Sequence, residues 1–216
     1  DNGLIEPNEP SQFIKETDEG RRFLVIGYGS DDRHIGEFKY ETVKDSAYAE
    51  AKKYKYDNPE LAEISARLVD EAQSHTNSWS LEEEIIGRIR TYVANYIEDE
   101  YIYYEVTDPY VILERQKGDC TEHTDLFNAL IKAAGIPARQ VTGYLLADDS
   151  GAFGGHAWSE VAFDGQWIPV DATWDLWVEN SINHIKAKEG LNLSSKNFKL
   201  HLHKIEYEDG SSAFYN

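Results

Sequence analysis

The sequence contains one cysteine, Cys120, in the stretch Gly118-Asp119-Cys120-Thr121-Glu122. A single thiol forms no intrachain disulfide and no multi-cysteine zinc or iron–sulfur site, so Cys120 is either core filler or a nucleophile. Its neighbours decide between the two. Asp119 stands at an N-cap position and Glu122, three residues on, completes capping-box spacing, which makes Cys120 the first residue of a helix. There the sulfur meets the positive end of the helix dipole. Unpaired N–H groups favour thiolate at that end, and one of them can face a developing oxyanion. Asp119, Glu122 and Asp125 work the other way by crowding negative charge around the thiol. A protonated imidazole beside the sulfur is therefore needed to tip the balance.

Gly154-Gly155-His156-Ala157-Trp158-Ser159-Glu160 offers that imidazole, with His156 opening a strand after a flexible loop over residues 148–155. Asp164-Gly165 is a strong hairpin signal, and beyond it Trp167-Ile168-Pro169-Val170-Asp171 ends on a carboxylate. Adjacent antiparallel strands can bring His156 and Asp171 side by side, so that the carboxylate holds one ring nitrogen while the other meets the thiol. The expectation is a Cys-His-Asp triad in that chain order. The second oxyanion donor is open; Gln116 and the cluster Tyr101 to Tyr104 are the candidates. Trp158, Trp174 and Tyr144 are candidates for the walls of a substrate cleft, with core packing as the plainer alternative. His123 could make a Cys-x-x-His metal pair with Cys120, completed by His156 or Asp171, but no second pair stands at ligand spacing. His201-x-His203 reads as one face of a strand. No metal and no cofactor are expected.

Several elements must position these residues. Residues 1–20, rich in Pro, Gly and acids, read as a loose extension. Arg22 to Tyr28 is a short apolar run and residues 35–42 alternate more weakly, which predicts a strand pair in an N-terminal extension over residues 1–45. A helical period follows: Leu61, Ile64, Leu68 and Ala72 share a face after Pro59, and Leu81, Ile85, Ile89, Val93 and Ile97 share another after Ser80, with Glu83 at capping-box spacing. Leu126, Phe127, Leu130, Ile131 and Ala134 form the buried side of a helix from Cys120 that stops at Gly135. Strands are predicted over residues 138–147, 156–163 and 167–170, with weaker ones over 199–207 and 213–215. Helices followed by an antiparallel meander make an α+β fold, with a catalytic domain over residues 46–216.

Composition bounds the partners. The chain has 216 residues, 21 basic and 40 acidic, for a formal net charge of -19. That is one ordinary domain, large enough to bury a core without staples. So acidic a surface repels phosphate backbones and anionic headgroups, so no nucleic-acid binding is expected. No apolar run reaches the roughly 18 residues of a spanning helix, so no membrane insertion is expected either. The charge suits a basic or amine-bearing protein or peptide substrate; its commoner meaning is solubility. A chain that starts Asp1-Asn2-Gly3 and contains no Met is expected to be a processed product, for which export is an open option. Nothing fixes compartment or oligomeric state.

One resemblance covers residues 80–175. Gly118-Asp119-Cys120, Leu126-Phe127, Ala133-Ala134-Gly135-Ile136-Pro137-Ala138-Arg139, Gly143-Tyr144, Gly155-His156-Ala157-Trp158-Ser159-Glu160-Val161 and Trp167-Ile168-Pro169-Val170-Asp171-Ala172-Thr173 occur in the order of the transglutaminase-like superfamily, which this chain resembles. The resemblance implies a papain-like α+β core in which a nucleophile-bearing helix packs on an antiparallel sheet carrying the His and Asp. By motif, Cys120 matches the family nucleophile, His156 the general base and acid, and Asp171 the orienting carboxylate. Arg139, Gly143 and Tyr144 match structural positions. The expected activity is acyl transfer at amide bonds through a thioester on Cys120, with hydrolysis favoured. The alternatives are glutamine-directed cross-linking and a catalytically idle binding module that keeps the fold.

Overall fold

The computed structural model describes residues 12–16, 18, 22–26, 40–51, 59–75, 80–101, 106–146, 153–178, 183–187, 204–206 and 211–214. In chain order the elements are β1 (Gln12–Glu16), β2 (Arg22–Ile26), α1 (Asp45–Ala51), α2 (Pro59–Ser74), α3 (Leu81–Tyr96), β3 (Glu98–Asp99), α4 (Pro109–Arg115), β4 (Lys117–Gly118) and α5 (Cys120–Ala133). Seven described strands follow: β5 (Ala138–Leu146), β6 (Phe153–Phe163), β7 (Gln166–Asp171), β8 (Leu176–Trp177), β9 (His184–Lys186), β10 (Lys204–Glu206) and β11 (Ser212–Phe214). The chain divides into two units: Phe38–Val141 with Ala157–Asn180, and Asp1–Glu37 with Thr142–His156 and Ser181–Asn216.

The larger unit is mixed α and β around a main core, with a small second cluster of Val141, Trp158 and Val178. The apolar faces of α2 and α3 supply Leu61, Leu68, Ile86, Ile89 and Val93; α5 supplies Leu126, Phe127, Leu130 and Ile131; the strands supply Val161, Ala162, Trp167 and Val170. Phe127, Leu126, Leu130 and Ile131 are wholly buried. Each such side chain contributes about 1.5–3 kcal/mol by leaving water, which is why the helix that opens with Cys120 is held at the centre of the unit. Ser65 Oγ, itself buried on α2, donates to the Leu130 carbonyl at 3.0 Å and ties α2 to α5.

Within this unit the strand order is β8-β7-β6-β5. The β6–β7 pair is antiparallel, with Ser159 opposite Val170 and Phe163 opposite Gln166. Its turn has positive φ at both central residues, Asp164 (47°) and Gly165 (73°), the geometry that the Asp-Gly signal predicts. The chain before α1 joins the same hairpin, through Trp167 N–H to Glu41 O (2.8 Å) and Val43 N–H to Gly165 O (2.9 Å).

In the smaller unit β1 pairs antiparallel with β2, β10 with β11, and the end of β5 with β9 through Tyr144 opposite Ile185. The strand at Arg22–Ile26 was expected, but its partner is Gln12–Glu16, inside the segment read as loose. Residues 35–39 of the expected partner lie outside the described residues, as do 102–105, 148–152, His201 and His203. No described helix is long and apolar enough to cross a membrane.

Candidate active site

Cys120 is the first residue of α5 and is partly exposed. Its placement follows from a closed set of local bonds. Asp119, the N-cap, accepts from Thr121 N–H at 3.0 Å. Glu122 returns the bond, its Oε2 accepting from Asp119 N–H at 2.9 Å, so the predicted capping box is complete. The second oxygen of Glu122 accepts from Val106 N–H at 3.0 Å, which fastens the incoming chain to the same turn. Glu122 is only 1% exposed. A buried carboxylate demands such donors, and backbone N–H groups at a helix start supply them.

Gly118 is part of this device. A Cβ built there would lie 2.3 Å from Glu122 Cβ and 2.7 Å from its Cγ. Only glycine lets the Glu122 side chain lie back over the chain that leads to the thiol. That lead-in is held from the other side by the parallel pair β3–β4, with Glu98 N–H donating to Gln116 O and Glu100 N–H to Gly118 O, both at 2.8 Å. The pair was not expected, being too short to show a period. Helix α4 was also missed as a helix, although Asp108 caps it and Pro109 is its first residue.

Gln116, the oxyanion candidate, ends α4 in the left-handed region at φ 52°. Its backbone N–H donates to Ile112 O and its backbone O accepts from Glu98 N–H. Its side chain is exposed. His123 is buried, and its Nδ1–H donates to the Asp119 carbonyl at 2.7 Å, so that nitrogen is committed to the helix start.

His156 lies on β6 in the smaller unit and is buried. Asp171 ends β7 in the larger unit and is fully buried, its Oδ1 accepting from Thr173 N–H at 2.8 Å. The turn that follows is pinned to α3. Asp175, in the left-handed region at φ 55°, accepts from Arg90 Nε at 2.5 Å and from Thr91 Oγ1 at 2.9 Å. The Arg90 guanidinium lies 5.4 Å from the centre of the Trp177 ring. The sequence carried no signal for this latch, whose partners stand 85 residues apart.

Of the aromatic cleft candidates, Trp158 is 2% exposed and clusters with Val141 and Val178. Tyr144 is buried in the smaller unit, and burial pushes its phenol pKa up. Trp174 is 44% exposed. Trp177 also packs against Phe163. A cavity of about 760 Å³ opens along α2 and α3, lined by Arg67, Glu71, Arg88, Tyr92 and Trp177 among others, and neither Cys120 nor Asp171 lines it.

The model of the transglutaminase-like superfamily core matches residues 67–172. The match contains Cys120, His156 and Asp171 and supports a cysteine-dependent function. Among curated proteins, the chain is 30% identical over 134 residues to the human Kyphoscoliosis peptidase, covering 56% of this chain and 19% of that protein. The mouse Kyphoscoliosis peptidase is 29% identical over 126 residues, covering 53% and 18%. The matched stretch thus spans about a fifth of the length of these relatives. Among solved structures, the chain is similar to a candidate cysteine protease from Cytophaga hutchinsonii at 17% identity and TM-score 0.49, over 98% of this chain and 73% of that one. It is also similar to the periplasmic domain of TgpA from Pseudomonas aeruginosa at 19% identity and TM-score 0.47, over 62% and 49%.

Proposed function

We propose that the protein hydrolyses a peptide or side-chain amide through a thioester on Cys120, with His156 as general base and acid and Asp171 as the carboxylate that orients it. The observation that carries the reading is the setting of the only thiol. Cys120 stands at the first position of a helix whose start is fixed by Asp119, Glu122 and Gly118, inside the transglutaminase-like match. The family-model match over residues 67–172, which contains His156 and Asp171, supports the other two assignments.

In the proposed reaction His156 takes the thiol proton as sulfur attacks the carbonyl carbon. The new C–S bond pushes the carbonyl electrons onto oxygen. The Cys120 backbone N–H has no intrahelical acceptor at this position and stabilises that oxyanion. Collapse breaks the C–N bond, and His156 gives its proton to the departing nitrogen. Water, deprotonated by His156, then attacks the thioester, releases the acid and restores the thiol. An amine in place of water would yield a cross-link, so the outcome depends on which nucleophile reaches the thioester.

The test compares wild type with Cys120→Ala on a glutamine-containing protein, with and without a labelled amine donor. Hydrolysis predicts cleavage or ammonia release by wild type alone, without label. Label incorporation would replace hydrolysis by glutamine-directed transfer. Equal turnover by both proteins would overturn the nucleophile assignment, and equal inactivity on a panel of amides would favour a binding module. An acidic surface favours basic or amine-bearing substrates, and a panel that spans peptide charge should show that order of rates.

A further inference from the structure

The smaller unit places a second histidine against His156. His184 lies on β9, where Leu145 of β5 is its cross-strand partner. The ring centroids of His156 and His184 are 5.6 Å apart with the planes at 58°. One ring nitrogen of each lies within 4.8 Å of the other, and both rings are buried. The tilt is not that of a stacked pair, and buried imidazoles call for polar or metal partners.

The surroundings of His184 fix its tautomer. Its Nδ1–H donates to Asn183 Oδ1 at 2.8 Å. Asn183 is itself fastened to β5, its backbone oxygen accepting from Leu146 N–H at 3.0 Å. The ring lone pair is thereby directed to Nε2. A carbonyl-type acceptor on one ring nitrogen is the usual support of an imidazole that binds metal through the other, since it sets both orientation and basicity. The spacing agrees. Two imidazoles on one tetrahedral ion, each with a bond of about 2.0–2.1 Å, place their centroids roughly 5–5.5 Å apart. A small side-chain rotation covers the difference from the observed separation.

We propose that His156 and His184 bind one zinc-class divalent ion between their ring nitrogens, and that the bound ion switches off proton transfer by His156. Imidazole donors select zinc, copper or nickel over calcium or magnesium. The switching half rests on the role proposed for His156 above. That role uses both ring nitrogens, one toward Asp171 and one toward the thiol, so a metal on either removes a working atom. The binding half stands without it. The pair differs from the Cys-x-x-His arrangement considered from the sequence, because His123 Nδ1 is already committed to a backbone carbonyl.

Binding is tested with zinc chloride on the untagged full chain carrying Cys120→Ser, so that no thiolate competes. The ring signals of all seven histidines are followed by NMR. The proposal predicts that His156 and His184 shift together with one-to-one stoichiometry. His184→Gln, close in size, should weaken binding at least tenfold, and Asn183→Ala should weaken it by roughly tenfold or more. Shifts confined to other histidines, or an unchanged titration in His184→Gln, would overturn the site. The NMR result on the parent decides even where a variant fails to fold. The switch is read separately, as the rate at which iodoacetamide alkylates Cys120 in the chain with its native thiol. Zinc should slow that rate, and His184→Gln should make it insensitive to zinc. Zinc bound at both rings with an unchanged alkylation rate would leave the site in place and overturn the coupling of His156 to Cys120.

Discussion

At the scale of single residues, the start of α5 is a small machine for holding one thiol, and its parts make separable predictions. A methyl group at position 118 would collide with the Glu122 side chain at 2.3 Å. Gly118→Ala should therefore destabilise the fold by about 1–3 kcal/mol in urea unfolding, as overpacking does; an unchanged midpoint would show that Glu122 can swing away at no cost. Glu122 accepts from two backbone N–H groups, one on each oxygen. Glutamine has one acceptor oxygen and turns an N–H₂ toward the other donor. Glu122→Gln should thus lose about 1–3 kcal/mol, close to the loss in Glu122→Ala. A Gln variant as stable as wild type would contradict the two-acceptor account. These features were legible because they are local: a cap, its reply three residues on and a glycine before it are readable along the chain. The role of Gly118 was not, since it depends on where the Glu122 side chain lies.

At the scale of elements, what could be read divides by sequence separation. The β6–β7 hairpin was legible because Asp164-Gly165 determines its own turn, and Asp164 and Gly165 both have positive φ. Gly165→Ala should cost about 1 kcal/mol, measured as a lowered unfolding midpoint, because a side chain resists the left-handed region. An equal midpoint would mean that the hairpin adopts another turn without loss. Helix α4 escaped notice as a helix because it has only 7 residues and ends on Gln116 rather than on glycine, the residue that ordinarily marks a left-handed stop. The Asp175 latch to Arg90 and Thr91 joins residues far apart in sequence, and no period or motif announces it. Since that latch holds the turn after Asp171, Asp175→Ala should reduce turnover on any substrate found while leaving Cys120 alkylation after denaturation unchanged. Turnover equal to wild type would remove the latch from the positioning of Asp171. The His156 and His184 pairing was equally hidden, because it depends on β9 lying against the end of β5.

At the scale of the whole molecule, a net charge of -19 means that buried or crowded carboxylates carry a cost that pH can reveal. Burial raises the Glu82 carboxyl pKa, the Asp164 charge adds to the rise, and a hydrogen bond from the Asp164 backbone partly offsets it. A carboxyl raised in the folded state costs stability once pH exceeds its unfolded value, about 4.3, and costs nothing below it. Glu82→Gln should therefore raise the thermal midpoint at pH 7 and not at pH 3; an equal gain at both would assign the effect to packing. The mixed α and β architecture and the family-model match over residues 67–172 follow from periodicity and ordered motifs, whereas the division into two units, with β5 and β6 each contributing residues to both, does not. The role proposed for His156, activation of the one thiol of this chain, is tested by the rate of iodoacetamide alkylation of native Cys120 at neutral pH in wild type and in His156→Ala. The account predicts a clearly slower native rate in His156→Ala and equal rates for the two proteins once unfolded in urea; equal native rates, or a native thiol that reacts only after unfolding, would contradict it.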